Sequence, residues 1–275
     1  MGKQCYTVKC CTNLHVGSGS STMGIIDQMI QRDVVTEQPA IYASSLKGAF
    51  REYFEEGPKS GTIAGYAEKI FGKKTANGSQ DSMKGGYVFT EACLIGLPVG
   101  SSHDYYYIAT SYFALSFWLN QMELLGLHAE GLRQETGKLK ALAADDKPKV
   151  LGRSVQGLTI GDFQQVDFCK QEFPLLAQLL GPRIVVFSDN DFKYQCSDYA
   201  LPVIARNKLE NGESKNLWYE QIIPHQSIFS FATFSGNQIS AQDNFLAAVD
   251  GEVVQIGANA SVGYGLCLIN KMELL

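Results

Sequence analysis

The apolar positions of this chain recur with two different spacings, and together they predict a mixed α+β protein. Helical spacing predicts helices over residues 45–55, 63–71, 110–133 with a break at Gly126, and 244–249. Strand-like alternation and short apolar runs predict strands over residues 6–12, 87–97, 150–163, 183–187, 228–234 and 264–269. This order is compatible with a ferredoxin-like β-α-β-β-α-β core that carries insertions.

Three stretches have the composition of insertions into that core. Residues 73–86 are rich in Lys, Gly, Ser, Asn and Asp and predict a loop, and residues 143–149 predict a short charged connection. Two extended arms surround Asn211-Gly212, which is a strong signal for a β-hairpin. Since no low-complexity linker separates these parts, we predict a single domain over residues 1–275 with a hairpin over residues 199–224.

The composition is typical of a globular protein rather than of a membrane or secreted one. Of the 275 residues 45% are hydrophobic, yet no apolar run approaches the roughly 20 residues that cross a bilayer. The seven cysteines form an odd set without a pair of Cys-x-x-Cys motifs, which argues against a disulfide framework and a structural zinc site. We therefore expect reduced thiols, a cytoplasmic location and no membrane partner.

The charge balance argues against a protein that binds nucleic acid over its whole surface, because the formal net charge is −5. A cluster of cations on one surface would remove this conflict, since the local potential governs contact with a phosphate backbone. The candidates for such a cluster are Arg32, Lys47, Arg51, Arg153, Arg206 and Lys208.

Residues 14–51 combine the parts of an anion-binding site. A glycine-rich loop, Gly17-Ser18-Gly19, precedes a lone Asp27, and Ser44 or Ser45 is placed to accept a backbone N–H at a helix start. The helix carries Lys47 in its first turn and Arg51 one turn later, where acidic residues are usually favoured. Free N–H groups beside two cations predict phosphate binding. The alternative is the solvated basic face of an amphipathic helix.

A second glycine-rich segment lies near the C-terminal end, with Gly257, Gly263, Tyr264 and Gly265 among small residues. Glycines in such a segment permit positive φ and the close approach of another backbone. The segment does not fit a dinucleotide-binding fingerprint, because no strand–Gly-x-Gly-x-x-Gly–helix order is present. A tight turn is the alternative interpretation.

A series of short blocks follows one another along nearly the whole chain. They are Leu14-His15-Val16-Gly17-Ser18-Gly19, residues 24–27, Gln31-Arg32, Ser44-Ser45-Leu46-Lys47-Gly48 with Arg51, residues 185–192, Leu217-Trp218-Tyr219-Glu220 with Ile223-Pro224, and Gly263-Tyr264-Gly265. Each block is unspecific, but the ordered series resembles the RAMP superfamily of CRISPR proteins, specifically the backbone (fourth) subunits of type III-B (Cmr) RNA-guided complexes. The type III-A backbone subunits share the first and last blocks, whereas the blocks at residues 188–192 and 218–224 favour type III-B.

The resemblance implies a function within an assembly. The family's backbone subunits bind a guide crRNA together with other copies of themselves and other Cmr subunits, and they cleave complementary target RNA at regular intervals. The resemblance further implies that the predicted core is the palm of a hand-shaped fold. Two alternatives remain open: a scaffold that coats guide RNA without cutting, and a related endonuclease that processes CRISPR precursor transcripts.

The resemblance also assigns roles to individual residues. Asp27 occupies the place of the target-cleaving aspartate, where it would take a proton from a 2′-OH or hold Mg²⁺ or another divalent cation; a turn or cap residue is the alternative. His15, Tyr219 and Glu220 are weaker catalytic candidates, because His15 is equally suited to a structural hydrogen bond and Glu220 to pairing with a cation. The candidate RNA-binding residues are Gly17, Ser18, Gly19, Arg32, Ser44, Ser45, Lys47, Arg51, Arg206, Lys208, Gly257, Gly263, Tyr264 and Gly265.

The predicted hairpin corresponds by resemblance to a thumb that crosses the guide–target duplex. Its apolar residues Val203, Ile204, Leu209 and Leu217 would wedge between stacked bases, at a cost of a few kcal/mol for each unstacked step. An ordinary surface excursion is the alternative. Asp189 and Asp191 are predicted to cap a helix start rather than to bind a metal.

Overall fold

The computed structural model describes residues 2–20, 24–73, 83–143, 147–163, 165–236 and 245–273. Its strands are β1 (Gly2–Cys10), β2 (Gly17–Ser20), β3 (Gln28–Ile30), β4 (Ala40–Ile41), β5 (Gly72–Lys73), β6 (Met83–Lys84), β7 (Tyr87–Phe89), β8 (Ala92–Gly100), β9 (Tyr106–Ser111), β10 (Lys149–Leu151), β11 (Asp167–Cys169), β12 (Ile184–Phe187), β13 (Val203–Glu210), β14 (Glu213–Gln221), β15 (Ile228–Ser235), β16 (Glu252–Gln255) and β17 (Leu266–Lys271). Its α-helices are α1 (Ala43–Glu56), α2 (Ser60–Ile63), α3 (Ala67–Phe71), α4 (Tyr112–Leu124), α5 (Glu130–Leu142), α6 (Pro174–Leu180) and α7 (Asp189–Gln195), and residues 245–249 are also helical. The mixed α+β class that the sequence predicts is confirmed.

One large sheet forms the centre of the molecule. Its strand order is β11-β10-β12-β9-β8-β15-β1-β17-β16, with β4 paired to β8 and β7 paired to β15. Within it, β8, β15, β1 and β17 lie side by side, and each is antiparallel to its neighbour. Helix α1 lies between β1 and β8 in the chain, and the helix at residues 245–249 lies between β15 and β17.

Helices cover both faces of this sheet, which is why all eight residues of β15 are buried. Successive side chains of a strand point to opposite faces. Phe229 and Phe231 therefore join an aromatic core with Phe50 of α1 and with Phe245. Ile228, Ala232 and Phe234 enter a second core on the opposite face, where α4, α5 and α6 contribute buried residues, among them Trp118, Leu132 and Leu176.

A smaller sheet carries the predicted hairpin. Its strand order is β13-β14-β3-β2, so the hairpin is anchored to the strands on either side of Asp27. The turn consists of Asn211 and Gly212 with φ of 52° and 83°, the two positive values that a type I′ turn requires. The hairpin prediction from Asn-Gly is thus confirmed, and its strands extend from Val203 to Gln221.

Several predicted elements differ from the structure. The strand expected over residues 150–163 is wrong beyond Leu151, because residues 152–163 form turns and isolated bridges. The strand expected over residues 87–97 is two strands, β7 and β8, which pair with different stretches of β15. The break at Gly126 is confirmed, but the second helix runs to Leu142. Strand β11 and helix α6 were not predicted; both are short and have no strong periodicity.

Smaller differences concern the loops. Residues 63–71 divide into two short helices around a 3₁₀ turn at Ala64–Tyr66. The loop expected over residues 73–86 contains strand β6, which pairs with β5, and residues 74–82 of it lie outside the described part. The predicted connection over residues 143–149 ends in β10, and its residues 144–146 likewise lie outside. The short helix predicted over residues 244–249 is present from residue 245 onward.

The structure also describes the state of the thiols and the lengths of the apolar helices. All seven cysteines are free thiols, and Cys5, Cys10, Cys196 and Cys267 are buried. Burial raises the pKa of the Cys5 thiol to about 11. Among the residues that the structure describes, no helix is both long enough and apolar enough to span a membrane.

Candidate functional site

The two glycine-rich segments, at residues 14–19 and 257–265, lie against each other in the fold. The N–H of Ala258 donates to the carbonyl of His15 at 2.9 Å, and the N–H of Gly265 donates to the carbonyl of Asn13 at 2.8 Å. Gly257 has φ of 83°, and a Cβ there would overlap the carbonyl oxygen of His15. Glycine is therefore needed at this position so that the two backbones can meet.

His15 is held inside this contact. Its imidazole is buried, and Nδ1 lies 2.7 Å from the carbonyl oxygen of Gln221. A carbonyl oxygen only accepts, so Nδ1 carries the proton. The ring thus ties the first glycine-rich loop to the end of β14. This is the structural hydrogen bond that the sequence analysis gave as the alternative to a catalytic role for His15.

Gln31 connects the same loop to the start of α1. Its Nε2 donates to the carbonyl of Gly17 at 3.1 Å and to Ser45 Oγ at 2.9 Å, while its Oε1 accepts the N–H of Tyr42 at 2.8 Å. The expected cap by Ser44 or Ser45 is wrong, because α1 begins at Ala43 and no side chain of its N-cap residue accepts a hydrogen bond. The amide of Gln31, which directly follows β3, instead accepts the N–H of the N-cap residue Tyr42.

The predicted cations of this region have different surroundings. Lys47 lies in the second turn of α1 rather than the first, is half-buried, and has no hydrogen bond or ion pair within the described part of the chain. Arg51 contacts Glu55 at 3.1 Å and donates to the carbonyl of Gly72. Ser44 is exposed on the same helix. The structure therefore leaves Lys47 available to a phosphate, whereas Arg51 already has protein partners.

Arg32 holds two loops together. Its guanidinium donates at 2.7 Å to each of the carbonyls of Glu37 and Cys196 and to Asp198 Oδ1. These bonds attach the connection after β3 to the end of α7. Ser188 caps α7, Asp191 accepts from the Ser188 hydroxyl, and Asp189 accepts the N–H of Phe113 at the start of α4.

Asp27 lies directly beside Tyr219, although 192 residues separate them in the chain. The N–H of Asp27 donates to the carbonyl of Tyr219 at 3.1 Å, and the N–H of Tyr219 donates to Asp27 Oδ2 at 2.8 Å. The next residues, Gln28 and Glu220, form the register pair that joins β3 to β14. One oxygen of the Asp27 carboxylate is thus held by the hairpin backbone, and Oδ1 has no hydrogen-bond partner among the described residues.

Glu220 is buried, with 3% of its surface exposed, and its carboxylate accepts three hydrogen bonds. The donors are Arg206 Nε at 3.0 Å, Trp218 Nε1 at 2.8 Å and Asn259 Nδ2 at 2.9 Å. Burial opposes ionisation of this carboxyl, but the bond from Trp218, the charges of Arg206 and His15 and the bond from Asn259 outweigh it and lower the pKa of Glu220. The carboxylate is therefore ionised at neutral pH.

The same cluster includes Tyr264 of the second glycine-rich segment. The guanidinium carbon of Arg206 lies 4.6 Å from the centre of the Tyr264 ring, which is cation–π geometry. Asn259 and Gly263 both adopt left-handed backbone conformations around the 3₁₀ turn Ala260–Val262. The two ends of the chain and the base of the hairpin thus form one connected site.

Comparison with known proteins identifies the family of this chain. A model of the RAMP superfamily matches residues 7–268. The chain belongs to the RAMP superfamily. It is 27% identical to the CRISPR system Cmr endoribonuclease Cmr4 of Pyrococcus furiosus, with 96% of this chain and 93% of that protein covered.

Solved structures share the RAMP fold of this chain at lower identity. A type III-B Cmr-beta complex bound to cognate target RNA contains a chain with a TM-score of 0.76 and 20% identity, covering 98% of this chain and 97% of that chain. Oligomeric Cmr4 from Pyrococcus furiosus has a TM-score of 0.71 and 19% identity, with 99% of each chain covered. These likenesses show a common fold.

In this RAMP protein the hairpin has two chemically different faces. The register pairs Ala205 with Tyr219 and Asn207 with Leu217, so these residues share one face with Val203 and, beyond the bulge at Lys208/Leu209, with Leu209. Four hydrophobic side chains on this apolar face are exposed: Leu209 at 62%, Leu217 at 55%, Val203 at 39% and Tyr219 at 38%. The opposite, polar face carries Ile204, Arg206, Lys208, Asn216, Trp218 and Glu220. Lys208 pairs with Glu210 at 2.9 Å.

The described surroundings of Asp27 offer few ligands to a divalent cation. The described part of the chain contains no group of three or more His, Cys, Asp or Glu side chains that would hold a metal ion. Mg²⁺ is commonly bound by one or two carboxylates together with phosphates and water. Within the described residues, a lone Asp27 fits an ion whose other ligands are a phosphate and water better than an ion enclosed by protein ligands.

The sequence patterns did not identify Trp218 and Asn259 as hydrogen-bond donors to Glu220. Trp218 lies two residues before Glu220, so strand alternation places both on one face of β14, and this signal was available. Asn259 lies 39 residues from Glu220, and no local pattern in the sequence connects them.

Proposed function

We propose that this RAMP protein is a backbone subunit of a type III-B complex, which binds a guide crRNA and cleaves complementary target RNA. The similarity to a protein named as a Cmr endoribonuclease and to a chain of a target-bound type III-B complex supports the proposal. The observation that carries it is the contact between Asp27 and Tyr219, which places a carboxylate at the base of a projecting hairpin.

We infer a ferredoxin-like palm and a thumb within this fold. The order β17-β1-β15-β8, with neighbours antiparallel and one helix in each β-α-β half, is the order of a ferredoxin-like sheet. The hairpin of β13 and β14 projects from this palm as the thumb. Its position beside Asp27 supports a shared role of palm and thumb in handling one RNA duplex.

Guide binding is proposed to use the surface between the two glycine-rich segments and α1. RNA-guided proteins hold the guide through its backbone, since base pairing supplies the sequence specificity. Lys47 is available for this binding, because it has no protein partner in the described part of the chain. Gln31 joins the helix of Lys47 to the loop at Gly17. Three further candidate RNA-binding residues are exposed, namely Ser18, Gly19 and Ser44.

Cleavage is proposed to use the 2′-OH of the target RNA as the nucleophile. The hydroxyl oxygen forms a bond to the adjacent phosphorus, the bond from phosphorus to the 5′-oxygen breaks, and the products are a 2′,3′-cyclic phosphate and a free 5′-OH. Asp27 accepts the hydroxyl proton through Oδ1, while Tyr219 holds Oδ2, and water protonates the leaving oxygen. A divalent cation shared between Asp27 and the RNA would stabilise the charge that develops on the phosphate.

The apolar face of the hairpin supports this chemistry by changing the shape of the duplex. A nucleotide whose base stays stacked cannot place its ribose 2′-OH in line with the neighbouring phosphodiester. Leu209 and Leu217 are exposed on the thumb and suit insertion between bases. The wedge would therefore present one flipped nucleotide to Asp27.

The test is cleavage by an assembled complex in which every copy of this subunit carries Asp27→Ala. We expect guide binding and assembly to persist and regularly spaced cutting of complementary RNA to disappear. The matched control is Asp162→Ala, which removes an exposed carboxylate that does not belong to this site and should leave cutting unchanged. Undiminished cutting by the Asp27→Ala complex would reject Asp27 as the catalytic residue, and a wild-type complex that binds guide and target without cutting would establish the scaffold function instead.

A further inference from the structure

We infer that Glu220 is a positioning residue for cleavage: it fixes the base of the hairpin so that Tyr219 holds Asp27 in place. The inference rests on the proposed function and concerns how its catalytic residue is oriented. Glu220 is buried, and all three of its hydrogen-bond donors come from the protein. It therefore acts through its neighbours rather than on the RNA.

The carboxylate of Glu220 joins three separate parts of the chain. Arg206 belongs to β13, Trp218 to β14, and Asn259 to the second glycine-rich segment. That segment in turn is bonded through Ala258 to the loop at His15. A single side chain thus connects both strands of the thumb to the palm.

The backbone of the same residues reaches Asp27. Glu220 pairs with Gln28, and the preceding residue, Tyr219, exchanges two hydrogen bonds with Asp27. This is the sole register pair between β3 and β14 among the described residues, so the joint is short. One further bond joins the same strands, from the N–H of Ile30 to Gln221 Oε1 at 3.4 Å, and His15 holds the carbonyl of Gln221. The buried side chain of Glu220 adds the contacts that fix β13 and the second glycine-rich segment to this joint.

The chemistry of the anchor requires a carboxylate. Oε2 accepts from both Arg206 and Asn259, and Oε1 accepts from Trp218. An amide at this position would direct an NH₂ group at one of these donors, and it would leave the Arg206 charge without its counter-ion. Glutamine has nearly the same shape, so Glu220→Gln changes the hydrogen bonding and the charge with little change in volume.

The test compares Glu220→Gln with Glu213→Gln in assembled complexes. Glu213 is an exposed residue of the same hairpin and pairs with Lys215, so its variant controls for the loss of one charge. We expect Glu220→Gln to lower the single-turnover cleavage rate at saturating target by roughly 10- to 100-fold, because small displacements of a catalytic group have such effects. The target concentration for half-maximal rate should change by less than about twofold, which a general loss of structure would not produce.

Asn259→Gly provides a second, milder variant. It removes one donor to Glu220 and keeps the ion pair, and glycine accepts the left-handed backbone at φ of 65° without strain. We expect a smaller loss of cleavage rate, again with unchanged target binding. If Glu220→Gln fails to assemble, this variant decides, and a wild-type rate overturns the inference.

The outcomes separate this inference from the proposed function. Loss of cutting with Asp27→Ala but a wild-type rate with Glu220→Gln would overturn the positioning role and leave the proposed function intact. Parallel losses of cleavage rate and target affinity in Glu220→Gln would also overturn it, because they indicate general damage to the subunit. Undiminished cutting with Asp27→Ala would instead reject the proposed catalytic residue.

Discussion

The base and the tip of the hairpin are built from the same two strands and have opposite surroundings. At the base, Glu220 and Gln221 are buried, and Arg206 and Trp218 bond to the Glu220 carboxylate. Toward the tip, residues 207–217 are exposed, and the salt bridges there, such as Lys208–Glu210, are between neighbouring surface residues. Surface ion pairs of this kind contribute little to stability, whereas a buried, fully bonded carboxylate fixes a geometry.

This difference indicates that the base and the tip of the thumb have different functions. The base determines where β14 lies against Asp27, and the tip presents Leu209 and Leu217 to whatever lies beyond the palm. Leu209 of β13 and Leu217 of β14 are exposed on one face of the hairpin, where adjoining apolar groups are typical of a surface that binds a partner. In our account an RNA duplex covers them.

The largest expected effect comes from removing the tip while keeping the base. Replacing residues 208–215 by a short Gly-Ser turn leaves Arg206, Trp218 and Glu220 in place. We expect the palm to fold normally and target cleavage to fall by more than about 100-fold, because the target nucleotide remains stacked. Circular dichroism and thermal melting measure the fold, and denaturing gels of complementary RNA measure the cut.

The control for the tip replacement is Asn211→Asp, since Asp-Gly also forms a type I′ turn. It should leave cleavage unchanged. A folded, assembled tip variant that cuts at the wild-type positions and rate would show that the tip is not the wedge.

A smaller effect is expected from changing the chemistry of the tip without shortening it. Leu209→Ser with Leu217→Ser keeps the strands but removes the apolar groups that would separate the bases, and we expect roughly a tenfold loss of cleavage rate. The matched variant is Asn216→Ser on the polar face of the same strand. Equal rates in the two variants would contradict a role for the apolar face.

A third prediction separates the thumb from the guide-binding surface. Lys47→Ala should weaken guide binding a few-fold and reduce the slope of log affinity against log salt by about 0.7, as expected for one lost phosphate contact to a single strand. Cutting per bound complex should stay the same, which is the reverse of the tip variants. Filter binding over a salt series measures the slope, and Lys193→Ala, which removes an exposed lysine paired with Glu37, is the control. An unchanged slope would show that Lys47 does not contact a phosphate and is a solvated surface lysine.

The last expected effect concerns the stability of the protein rather than its cleavage or binding, and it is confined to the base. Despite burial, the surrounding donors and charges lower the pKa of Glu220 in the folded protein. Its contribution to the free energy of unfolding is therefore fully present above the unfolded-state pKa of about 4.3 and is lost as the pH falls through the folded-state pKa. Glu220→Gln should destabilise the protein by about 3 kcal/mol at pH 7, the lower end for a broken buried pair.

Denaturant unfolding of the two proteins at pH 7 and at about pH 3 tests this sign, since the interval spans the titration of an ordinary glutamate. The difference in free energy of unfolding should shrink at the acidic pH. A difference that stays constant or grows would show that the network does not depend on the ionised carboxylate.

Much of the fold could be predicted from local patterns in the sequence. The helix with Leu46, Phe50 and Phe54 on one side, the buried strand β15 and the hairpin at Asn211-Gly212 each follow from spacing or turn chemistry within a short window. Residues 152–163 were misjudged as a strand, because apolar residues there pack against the core from turns instead of from a sheet. The start of α1 was misjudged because its partner, Gln31, lies outside the helix.

The residues of the candidate site could be predicted from the sequence, but the contacts between them could not. The sequence blocks contain Asp27, Tyr219, Glu220 and several glycines of both segments, yet their spacing says nothing about which side chain faces solvent. Only the register between β3 and β14 places Asp27 on the Tyr219 backbone, and only the fold brings Asn259 to Glu220. The burial of Glu220, which argues for a positioning role, depends on these long-range contacts.

The central claim is that Asp27 is the catalytic residue of this subunit, and mixed assembly tests it most directly. Complexes are assembled from wild-type and Asp27→Ala subunits in increasing proportions, and the yield at every cut position is measured on complementary RNA. We predict that each yield falls in proportion to the fraction of the variant and reaches background when all copies carry it. Cutting that persists in the fully substituted complex, or that disappears at every position when few copies are substituted, would contradict the account.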